Sequence, residues 1–397
     1  STIGVLLAAH QILGLQSVTG LTLLENSYLY LLVALYLSNV FLIFPATSKS
    51  PRLHIPMYDV ILFITCLAVG GYFSLTGLTS LKEGWEFISP TWPVVMAFVF
   101  WLLIMEAARR AGGLAIAIIF GTFSLYPIFA DASFMPALLS GLSQDIVSTA
   151  SYHIMSEESV LGIPLRVFGT LIVGFILFGV ALQSTGGGRF FINLAFAVLG
   201  GVRGGPAKVA IFASGLFGSL SGSVVTNVLT TGSMTIPAMK KTGYPPQYAG
   251  GIEACASTGG VLMPPVMGAT AFVMASFLDI SYAAVALAAV VPSILYFFGL
   301  FVQIDAYAAR NDIKGLPKSE LPSVKKTVSE GWYYIFGFLL LVYLLIYLKR
   351  EAHAPFYATV ALLALSQFGK LRSQDIWYYI LGGGILGFLA IILASVM

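Results

Sequence analysis

Long apolar segments alternate with short polar ones along the chain. A helix must be roughly 20 residues long to cross a hydrocarbon core of ~30 Å, and the segments that approach this length are 1–15, 27–44, 55–76, 91–108, 111–130, 163–184, 282–308, 332–348, 355–368 and 376–397. Their hydrophobic positions run continuously, a pattern that fits the alternating strands of an outer-membrane barrel poorly. The pattern predicts an all-α polytopic membrane protein.

One apolar region is too long for a single span. Residues 209–239 carry no charge, and as one straight helix they would be ~46 Å long at about 1.5 Å per residue. A polar, glycine-rich break (SLSGS, 219–223) lies at the centre, and lysines flank both ends. Since both ends then belong on the cytoplasmic side, the region predicts a re-entrant helical hairpin with arms 209–220 and 224–239. Close packing of small residues between helices is the alternative.

The tip of this hairpin is a candidate binding site. Non-helical backbone at mid-membrane depth is tolerated only where protein or a water-filled cavity satisfies it. Helix ends exposed there offer carbonyl oxygens to a cation or N–H groups to an anion. The hydroxyls of Ser221 and Ser223 add hard oxygen ligands of the kind that Na⁺ accepts.

A second region, 247–278, predicts a discontinuous helix. A first half-helix over 247–256 meets the polar residues 257–260, and Pro264 and Pro265 follow before a second half-helix. Two adjacent prolines remove two backbone donors and disfavour the α conformation of the residues before them. Unwound carbonyls in such a helix can coordinate an ion. A proline kink without any ligand role is the alternative.

Glu253 is the only charged residue between Lys241 and Asp279. An acidic residue inside a membrane segment is a functional candidate, as a proton carrier or an ion ligand. It precedes Ser257 by one helical turn, so both side chains can face one cavity. The alternative is a carboxylate near the cytoplasmic interface that pairs with Lys240 or Lys241.

The distribution of charge gives an orientation. Loops rich in Lys and Arg are expected in the cytoplasm, and these carry Lys49, Arg52, Arg109, Arg110, Arg189, Arg203, Lys208, Lys240, Lys241, Lys314, Lys318, Lys325 and Lys326. The acidic segment 131–158 is expected outside as an amphipathic interfacial helix, and 190–202 as a helix along the cytoplasmic surface. The charged stretch 310–330 is expected to be a cytoplasmic linker. Lys349 and Arg350 do not fit this orientation.

Other charged residues have simpler explanations. Arg166 is expected to extend its charge to the outer interface, and Glu106 to pair with the arginines one turn after it. Asp59 and Asp305 lie at helix ends and are interpreted as interfacial.

Composition strengthens the membrane assignment and removes several classes of function. Hydrophobic residues make up 58% of the 397 residues and charged ones 9%, where soluble domains carry about 25% charged residues. A net charge of +3 is too small and dispersed for a nucleic-acid surface. Cys66 and Cys255 lie in apolar segments and are expected to be reduced packing residues. The four histidines show no metal-ligand spacing, and no nucleotide-binding motif is present. We therefore expect neither an enzyme nor an organic cofactor.

These motifs resemble a known family. The segment GGPAKVAIFASGLFGSLSGSVVTNVLTTGSMTIPAMKKTGYPPQYAGGIEACASTGGVLMPPVMGA, residues 204–269, is similar to the tripartite ATP-independent periplasmic (TRAP) transporters, and within them to the fused membrane subunits of the TAXI type. By this resemblance residues 1–110 are a small four-helix scaffold domain. Residues 111–397 are the first part of a large transport domain.

The resemblance implies a secondary transporter of the bacterial inner membrane that works by an elevator motion. Its expected partner is a periplasmic substrate-binding protein of the TAXI type, and its substrates are small organic anions, above all carboxylates. The coupling ion is Na⁺, or H⁺ in TAXI-type fusions, with Glu253 as the carrier. The hairpin tip and the broken helix then form half of the ion and substrate site, with residues Ser219, Ser221, Gly222, Ser223, Asn227, Ser257, Thr258, Gly259, Gly260, Pro264 and Pro265. Oxygens of Ser221, Ser223, Thr258 and Gly260 are the candidate Na⁺ ligands.

The chain shows one copy of the hairpin pattern, which is half of the inverted repeat that such transporters pair around a midplane site. Both ends lie inside apolar segments, so we expect an excerpt of a longer chain or one piece of a split one. The rival functions are an ion channel, for which no ring of charges is evident, and a membrane anchor without transport activity. An anchor leaves the polar midplane cluster unexplained.

Overall fold

A computed structural model of the protein describes residues 2–47, 50, 55–133 and 135–370, with the backbone alone for 368–370. The predicted span 376–397 and the basic pair Lys49 and Arg52 lie outside the described residues. Within the described part every regular element is a helix. Contacts divide the chain into two compact units, one of residues 1–169 and one that begins at Thr170.

Helices capable of crossing a membrane lie where the hydrophobic pattern predicts them. By length and composition there are six among the described residues: Glu25–Ile43, Met57–Glu83, Thr91–Ile128, Ile163–Thr185, Tyr282–Arg310 and Lys318–Tyr347. The predicted spans near 1–15 and 355–368 form shorter apolar helices, Thr2–Ile12 and Ala354–Gln367. The chain is a multi-pass membrane protein.

The helices of the first unit are α1 (Thr2–Ile12), α2 (Gln16–Thr19), α3 (Glu25–Ile43), α4 (Met57–Glu83), α5 (Thr91–Leu125), α6 (Ile146–Met155) and α7 (Ile163–Val167).

Small residues let α3 and α4 approach closely. A Cβ added at Gly70 would lie 2.5 Å from the Ala34 Cβ, and one at Gly77 would lie 2.7 Å from the Ser27 Oγ. Between these points the Ser74 Oγ donates to the Ser27 carbonyl at 2.9 Å, so a polar contact inside the pair is satisfied by backbone.

Helix α5 is kinked. The predicted spans 91–108 and 111–130 form one helical segment, interrupted at Gly113 with φ 84° and ψ 174°. A positive φ is readily adopted by glycine, which has no Cβ. The second arm ends at Leu125 and continues as a short 3₁₀ turn, Tyr126–Ile128.

A buried ion pair joins α4 to α5. The Arg110 Nη1 lies 2.6 Å from the Asp59 Oδ1, with both side chains at most 3% exposed, and the Arg110 Nε binds Glu106 at 2.7 Å. The pairing of Glu106 with the arginines one turn later is confirmed. The partner of Asp59 was not apparent from sequence because it lies 51 residues away.

Among the described residues of the acidic segment 131–158, only α6 is helical. The Asp145 side chain caps this helix by accepting from Val147 N at 3.0 Å and Ser148 N at 3.3 Å. Arg166 is one-third exposed and its Nη2 pairs with the Glu157 Oε2 at 2.8 Å, so its charge has a partner as well as access to the surface.

The second unit contains α8 (Val173–Thr185), α9 (Gly187–Leu199), α10 (Gly205–Ser221), α11 (Val224–Lys241), α12 (Pro246–Gly260), α13 (Ala269–Phe277), α14 (Tyr282–Arg310), α15 (Val324–Val342) and α16 (Ala354–Lys370). Helix α10 is the centre of this unit and packs on α9, α11, α12 and α14.

The segment predicted as a surface helix over 190–202 is α9, which buries Phe191, Ile192 and Ala195 on one face. The predicted linker 310–330 is shorter, because α14 extends to Arg310 and α15 begins at Val324.

Replacing Asp59 by Ala should destabilise the first unit by about 3–5 kcal/mol, because the Arg110 charge stays buried after losing one carboxylate. Thermal unfolding of detergent-purified protein measures this. Glu330→Ala is the control, since its pair with Lys326 is 3.9 Å long and two-thirds exposed or more on each side and should contribute less than about 1 kcal/mol. Equal losses in the two variants would contradict the assignment.

Candidate functional site

The uncharged region 209–239 forms two helices joined by a tight turn. Helix α10 ends at Ser221, and Gly222 adopts φ 61°. The Ser223 side chain caps the start of α11 by accepting from Thr226 N at 3.3 Å. These bounds extend the predicted arms by a few residues and place the turn at the predicted break. The helical hairpin is therefore observed, while its re-entrant position in a membrane stays a prediction.

The broken helix is also observed, with a different start of the break. Helix α12 continues through Gly260, and the irregular segment is 261–268. Residues 257–260 are thus helical rather than unwound. Proline disfavours the α conformation only of the residue before it, so the helix can continue to within four residues of Pro264.

The hairpin tip contacts the break in α12–α13. Val266 N donates to the Ser219 carbonyl at 3.1 Å. A Cβ added at Gly222 would lie 2.6 Å from the Met267 carbonyl oxygen, so the backbone of the turn lies against the backbone of the irregular segment 261–268. The Tyr282 hydroxyl donates to the Pro265 carbonyl at 2.8 Å and fixes the break from the other side. Two motifs about 45 residues apart in sequence therefore form one structure.

Glycines allow α10 and α12 to cross at short distance beneath the tip. A Cβ added at Gly260 would lie 2.7 Å from the Ser214 carbonyl oxygen and 2.9 Å from the Gly218 Cα. Asn227 is fully buried in the same place, and its Nδ2 donates to the Ser214 carbonyl at 3.0 Å. Gly260 and Asn227 thus have a packing role in this structure.

A cavity of about 370 Å³ lies beside the tip. Its polar groups come from Gln183, Ser221, Ser223 and Thr226, and the rest of its lining is mainly apolar. The Ser221 Oγ is buried and has no hydrogen-bond partner within the described part of the chain. Buried polar atoms are almost always paired, so this unpaired hydroxyl makes Ser221 a candidate for contact with a ligand.

Glu253 lies in a separate cluster of hydroxyl groups. Its side chain is completely buried. The carboxylate accepts from Ser214 Oγ and Ser257 Oγ, each at 3.1 Å, and from Thr231 Oγ1 and Thr235 Oγ1. The predicted proximity of Glu253 and Ser257 is confirmed.

The alternative pairing of Glu253 with a lysine is not observed among the described side chains. Lys241 instead pairs with Glu320 at 2.6 Å, and Lys240 is exposed. The carboxylate is thus held by neutral donors alone.

The structure divides the predicted site residues into groups. Ser221, Gly222 and Ser223 line the cavity at the tip. The Ser219 Oγ donates within its own helix to the Leu216 carbonyl, and a Cβ at Gly259 would meet the Tyr296 ring.

Thr258 lies apart from the cavity. It is exposed, and its Oγ1 donates to the Ala254 carbonyl at 2.8 Å. The four predicted Na⁺ ligands are therefore not brought together in this conformation.

Three members of the Glu253 cluster were missed by sequence reasoning: Ser214, Thr231 and Thr235. A signal existed for α11, because Asn227, Thr231 and Thr235 recur at four-residue spacing and therefore share one face of the helix. Ser214 had no comparable signal, since only the packing of α10 on α12 brings it to Glu253.

Charged side chains anchor the base of the hairpin. The Lys208 Nζ lies 2.6 Å from the Asp305 Oδ1 and 4.8 Å from the centre of the Phe301 ring. Arg203 also binds Asp305. These contacts fix the beginning of α10 against α14.

Two further expectations concern metals and cysteines. Among the residues that the structure describes, no group of three or more His, Cys, Asp or Glu side chains is placed to hold a metal ion. Both cysteines are free, with Cys66 buried and Cys255 exposed.

Sequence comparisons give matches over much of the chain. Residues 99–396 match the family model described as "Tripartite ATP-independent periplasmic transporter, DctM component". A C4-dicarboxylate TRAP transporter large permease protein of Pseudomonas aeruginosa is 31% identical over 225 residues, 55% of this chain and 52% of the relative. The corresponding Vibrio cholerae protein is 30% identical over 247 residues, 62% of this chain and 49% of the relative.

An isethionate TRAP transporter permease protein of Oleidesulfovibrio alaskensis is 31% identical over 180 residues, which are 45% of this chain and 24% of the relative. The chain spans about half the length of the first two relatives.

Replacing Gly260 by Ala should destabilise the contact between α10 and α12 by about 1–3 kcal/mol, because the added methyl meets backbone atoms that cannot move away cheaply. Gly250→Ala in the same helix is the matched control, since nothing lies within 4 Å of its added Cβ. Thermal unfolding of both purified variants tests the difference. A Gly260 variant as stable as the Gly250 variant would contradict the close crossing.

Proposed function

The chain belongs to the family of DctM components of tripartite ATP-independent periplasmic transporters, and from this membership we propose that it carries out secondary, ion-coupled import of small organic anions. It is a multi-pass protein of the bacterial inner membrane. Relatives named for C4-dicarboxylates and for isethionate support a negatively charged substrate, and carboxylates are the class we propose.

The main support for the proposal is the contact between the hairpin tip and the broken helix. Val266 N binds the Ser219 carbonyl there, and the unpaired Ser221 hydroxyl lines the adjacent cavity. Irregular backbone and free hydroxyls inside a membrane protein are favourable only where they meet a ligand, protein or water. The tip, with Ser221, Gly222 and Ser223, is the part of the substrate and ion site that we assign to this chain.

We propose an elevator mechanism, in which one part of the protein moves across the membrane relative to a fixed part. We assign the hairpin α10–α11 and the broken helix α12–α13 to the moving body, because they share the tip contacts and the Glu253 cluster. The family match begins at residue 99, which supports a distinct small scaffold domain over 1–110. The first compact unit continues to Gly169, since α5 also packs on α6.

The proposed partner is a periplasmic substrate-binding protein of the TAXI type, and we propose that the chain belongs to a fused permease of that type. The linker between α14 and α15 is proposed to lie in the cytoplasm, where its lysines satisfy the positive-inside rule. The coupling ion is Na⁺ or H⁺. The Thr258 Oγ1, one of the predicted Na⁺ ligands, donates within its own helix to the Ala254 carbonyl in this conformation.

Uptake in proteoliposomes tests the function directly. The purified permease with its binding protein should accumulate members of a panel of radiolabelled mono- and dicarboxylates and isethionate when a Na⁺ or H⁺ gradient is imposed. Accumulation should collapse when both gradients are dissipated, because secondary transport has no other energy source. Uptake of no panel member, or uptake indifferent to both gradients, would contradict the proposal.

Replacing Ser221 by Ala should lower uptake about five- to tenfold at limiting substrate, which is what one lost hydrogen bond of roughly 1–1.5 kcal/mol costs. Folding should be unaffected, since this hydroxyl has no described protein partner. Ser293→Ala is the matched control, because the Ser293 Oγ donates only within its helix to the Val290 carbonyl at 2.9 Å. Equal uptake by the two variants would remove Ser221 from the site.

A further inference from the structure

A second cavity lies farther along α11 than the cavity at the hairpin tip. Its volume is about 860 Å³, and it is bounded by the end of α8, the beginning of α9 and the middle of α11. Gln183 lines both cavities. Helix α11 runs from Val224 at the tip to Lys241 at the base of the hairpin. The second cavity therefore lies between the tip and the end of the hairpin that we expect in the cytoplasm.

One face of α11 supplies hydroxyl groups to both cavities. Thr226 lines the cavity at the tip, and Thr230 and Ser233 line the second cavity. Residues three and four apart share one face of a helix, so these three side chains form a polar stripe along the hairpin. The neighbouring face of the same helix carries the hydroxyl groups that bind Glu253. Helix α11 thus has one polar face bound to protein and another that borders the cavities.

The lining of the second cavity carries a positive charge. Among the described residues that line it, Arg189 is the only charged one. The Arg189 side chain is exposed, and it forms no ion pair or hydrogen bond within the described part of the chain. A guanidinium offers five N–H donors in the planar arrangement that oxyanions such as carboxylates accept. The charge and the donors of this cavity therefore suit an anion.

Thr230 brings a hydroxyl group close to the beginning of α9. A Cβ added at Gly188, the residue before Arg189, would lie 2.5 Å from the Thr230 Cγ2. The Thr230 Oγ1 accepts from the Gln183 Nε2 at 3.1 Å and donates to no described acceptor. The hydroxyl proton of Thr230 and the second N–H of the Gln183 amide are therefore available to an anion beside Arg189.

The other hydroxyl groups of this cavity donate within their own helices. The Ser233 Oγ donates to the Thr230 carbonyl at 2.8 Å. The Ser184 Oγ and the Thr185 Oγ1 both donate to the Ala181 carbonyl, at 3.1 Å and 2.8 Å. Each hydroxyl has a single proton, so Thr230 is the described hydroxyl of the cavity whose proton has no acceptor.

The lining favours a small hydrophilic anion over a lipid. Seven of the twelve lining residues have polar side chains, and an acyl chain would meet only Ile192, Leu229 and Met234 as large apolar neighbours. The volume lies within the range of about 300–1,000 Å³ that is usual for small-molecule sites. Polar and charged residues at membrane depth are typical of a substrate pathway.

We propose that Arg189 and Thr230 form a second binding site, for small carboxylate or sulfonate anions, through which the substrate passes from the hairpin tip to the cytoplasm. This rests on the proposed function. Arg189 attracts the anion, and Thr230 and Gln183 donate hydrogen bonds to it. The hydroxyl groups from Thr226 to Ser233 supply polar partners along the route between the two cavities.

Chemical modification of arginines tests the site without any transport. Phenylglyoxal reacts with accessible guanidinium groups, and mass spectrometry of the digested permease gives the rate at each arginine. Saturating succinate or isethionate should slow the reaction at Arg189 at least about fivefold, because a bound oxyanion occupies the guanidinium N–H groups. Arg310 is the internal control, since it is exposed and has no described partner. Its rate should change less than about twofold at constant ionic strength.

The same measurement in detergent with and without phosphatidylglycerol separates a small anion from a lipid headgroup. Protection of Arg189 by phosphatidylglycerol and by no member of the panel would identify a headgroup site and overturn the proposal. Equal protection of Arg189 and Arg310, or protection of neither, would overturn it as well.

Thr230→Val tests the hydroxyl group and keeps the shape of the side chain that packs on Gly188. The loss of one hydrogen bond should raise the succinate concentration that half-protects Arg189 about three- to tenfold. Thr230→Ser keeps the hydroxyl and should stay within about twofold of the unmodified protein. A threonine that serves only packing would give the opposite order, with the Val variant unchanged, and would contradict the assignment.

Transport kinetics separate this proposal from the proposed function. Arg189→Gln should lower the maximal rate of uptake about three- to tenfold without raising the half-saturating substrate concentration, because losing the cation slows departure from the tip rather than binding there. Arg310→Gln should transport at the unmodified rate. An unchanged maximal rate in the Arg189 variant would overturn the exit route and leave the transporter. Protection of Arg189 in a protein that transports no member of the panel would overturn the proposed function and leave the anion site.

Discussion

Polar groups inside the second unit have to be satisfied without water, and the arrangement of α10, α11 and α12 depends on this requirement. Ser214, Asn227, Thr231, Thr235 and Glu253 bind one another and the helix carbonyls. Each of these side chains would be unfavourable if its helix moved away from the others, because an unpaired buried polar group costs free energy that no solvent returns. The hydrogen bonds therefore determine which helix faces must meet and in what register.

Small residues make these hydrogen bonds geometrically possible. Ser and Thr hydroxyls are short, so the helices that bear them must lie close together before the groups reach one another. Gly218 and Gly260 permit the crossing of α10 and α12, and Gly232 leaves space for the Glu253 side chain. The same principle joins α3 to α4 in the first unit, where Gly70 and Gly77 lie against Ala34 and Ser27. Close packing of this kind replaces the hydrophobic effect, which gives little association between helices in a membrane.

Ion pairs have a different structural role from the hydroxyl groups around Glu253. The pairs Asp59–Arg110 and Lys208–Asp305 lie near helix ends, at Met57 and Gly205 respectively, where they fix one helix against the next. The contact between the hairpin and α12, by contrast, holds one carboxylate surrounded by hydroxyl donors. The distribution of charge thus separates the ion pairs near helix ends from the single buried carboxylate that hydroxyl groups surround.

The sequence by itself determined the helical membrane class, most helix positions, the turn at Gly222 and the broken helix before Ala269. These follow from local causes: apolar length, glycine and proline chemistry, and the sign of flanking charges. It also identified Glu253 and Ser221, because a polar residue in a long apolar segment is conspicuous wherever it points.

Only the tertiary structure decided which of these residues lie together. It placed the tip against the break, kept 257–260 helical, left Thr258 exposed with its hydroxyl bonded within its own helix, and brought Ser214 to Glu253 across 39 residues of chain. Those relations depend on the rotation and separation of neighbouring helices. Helix packing sets both of these over long range, and no local pattern in the sequence encodes them.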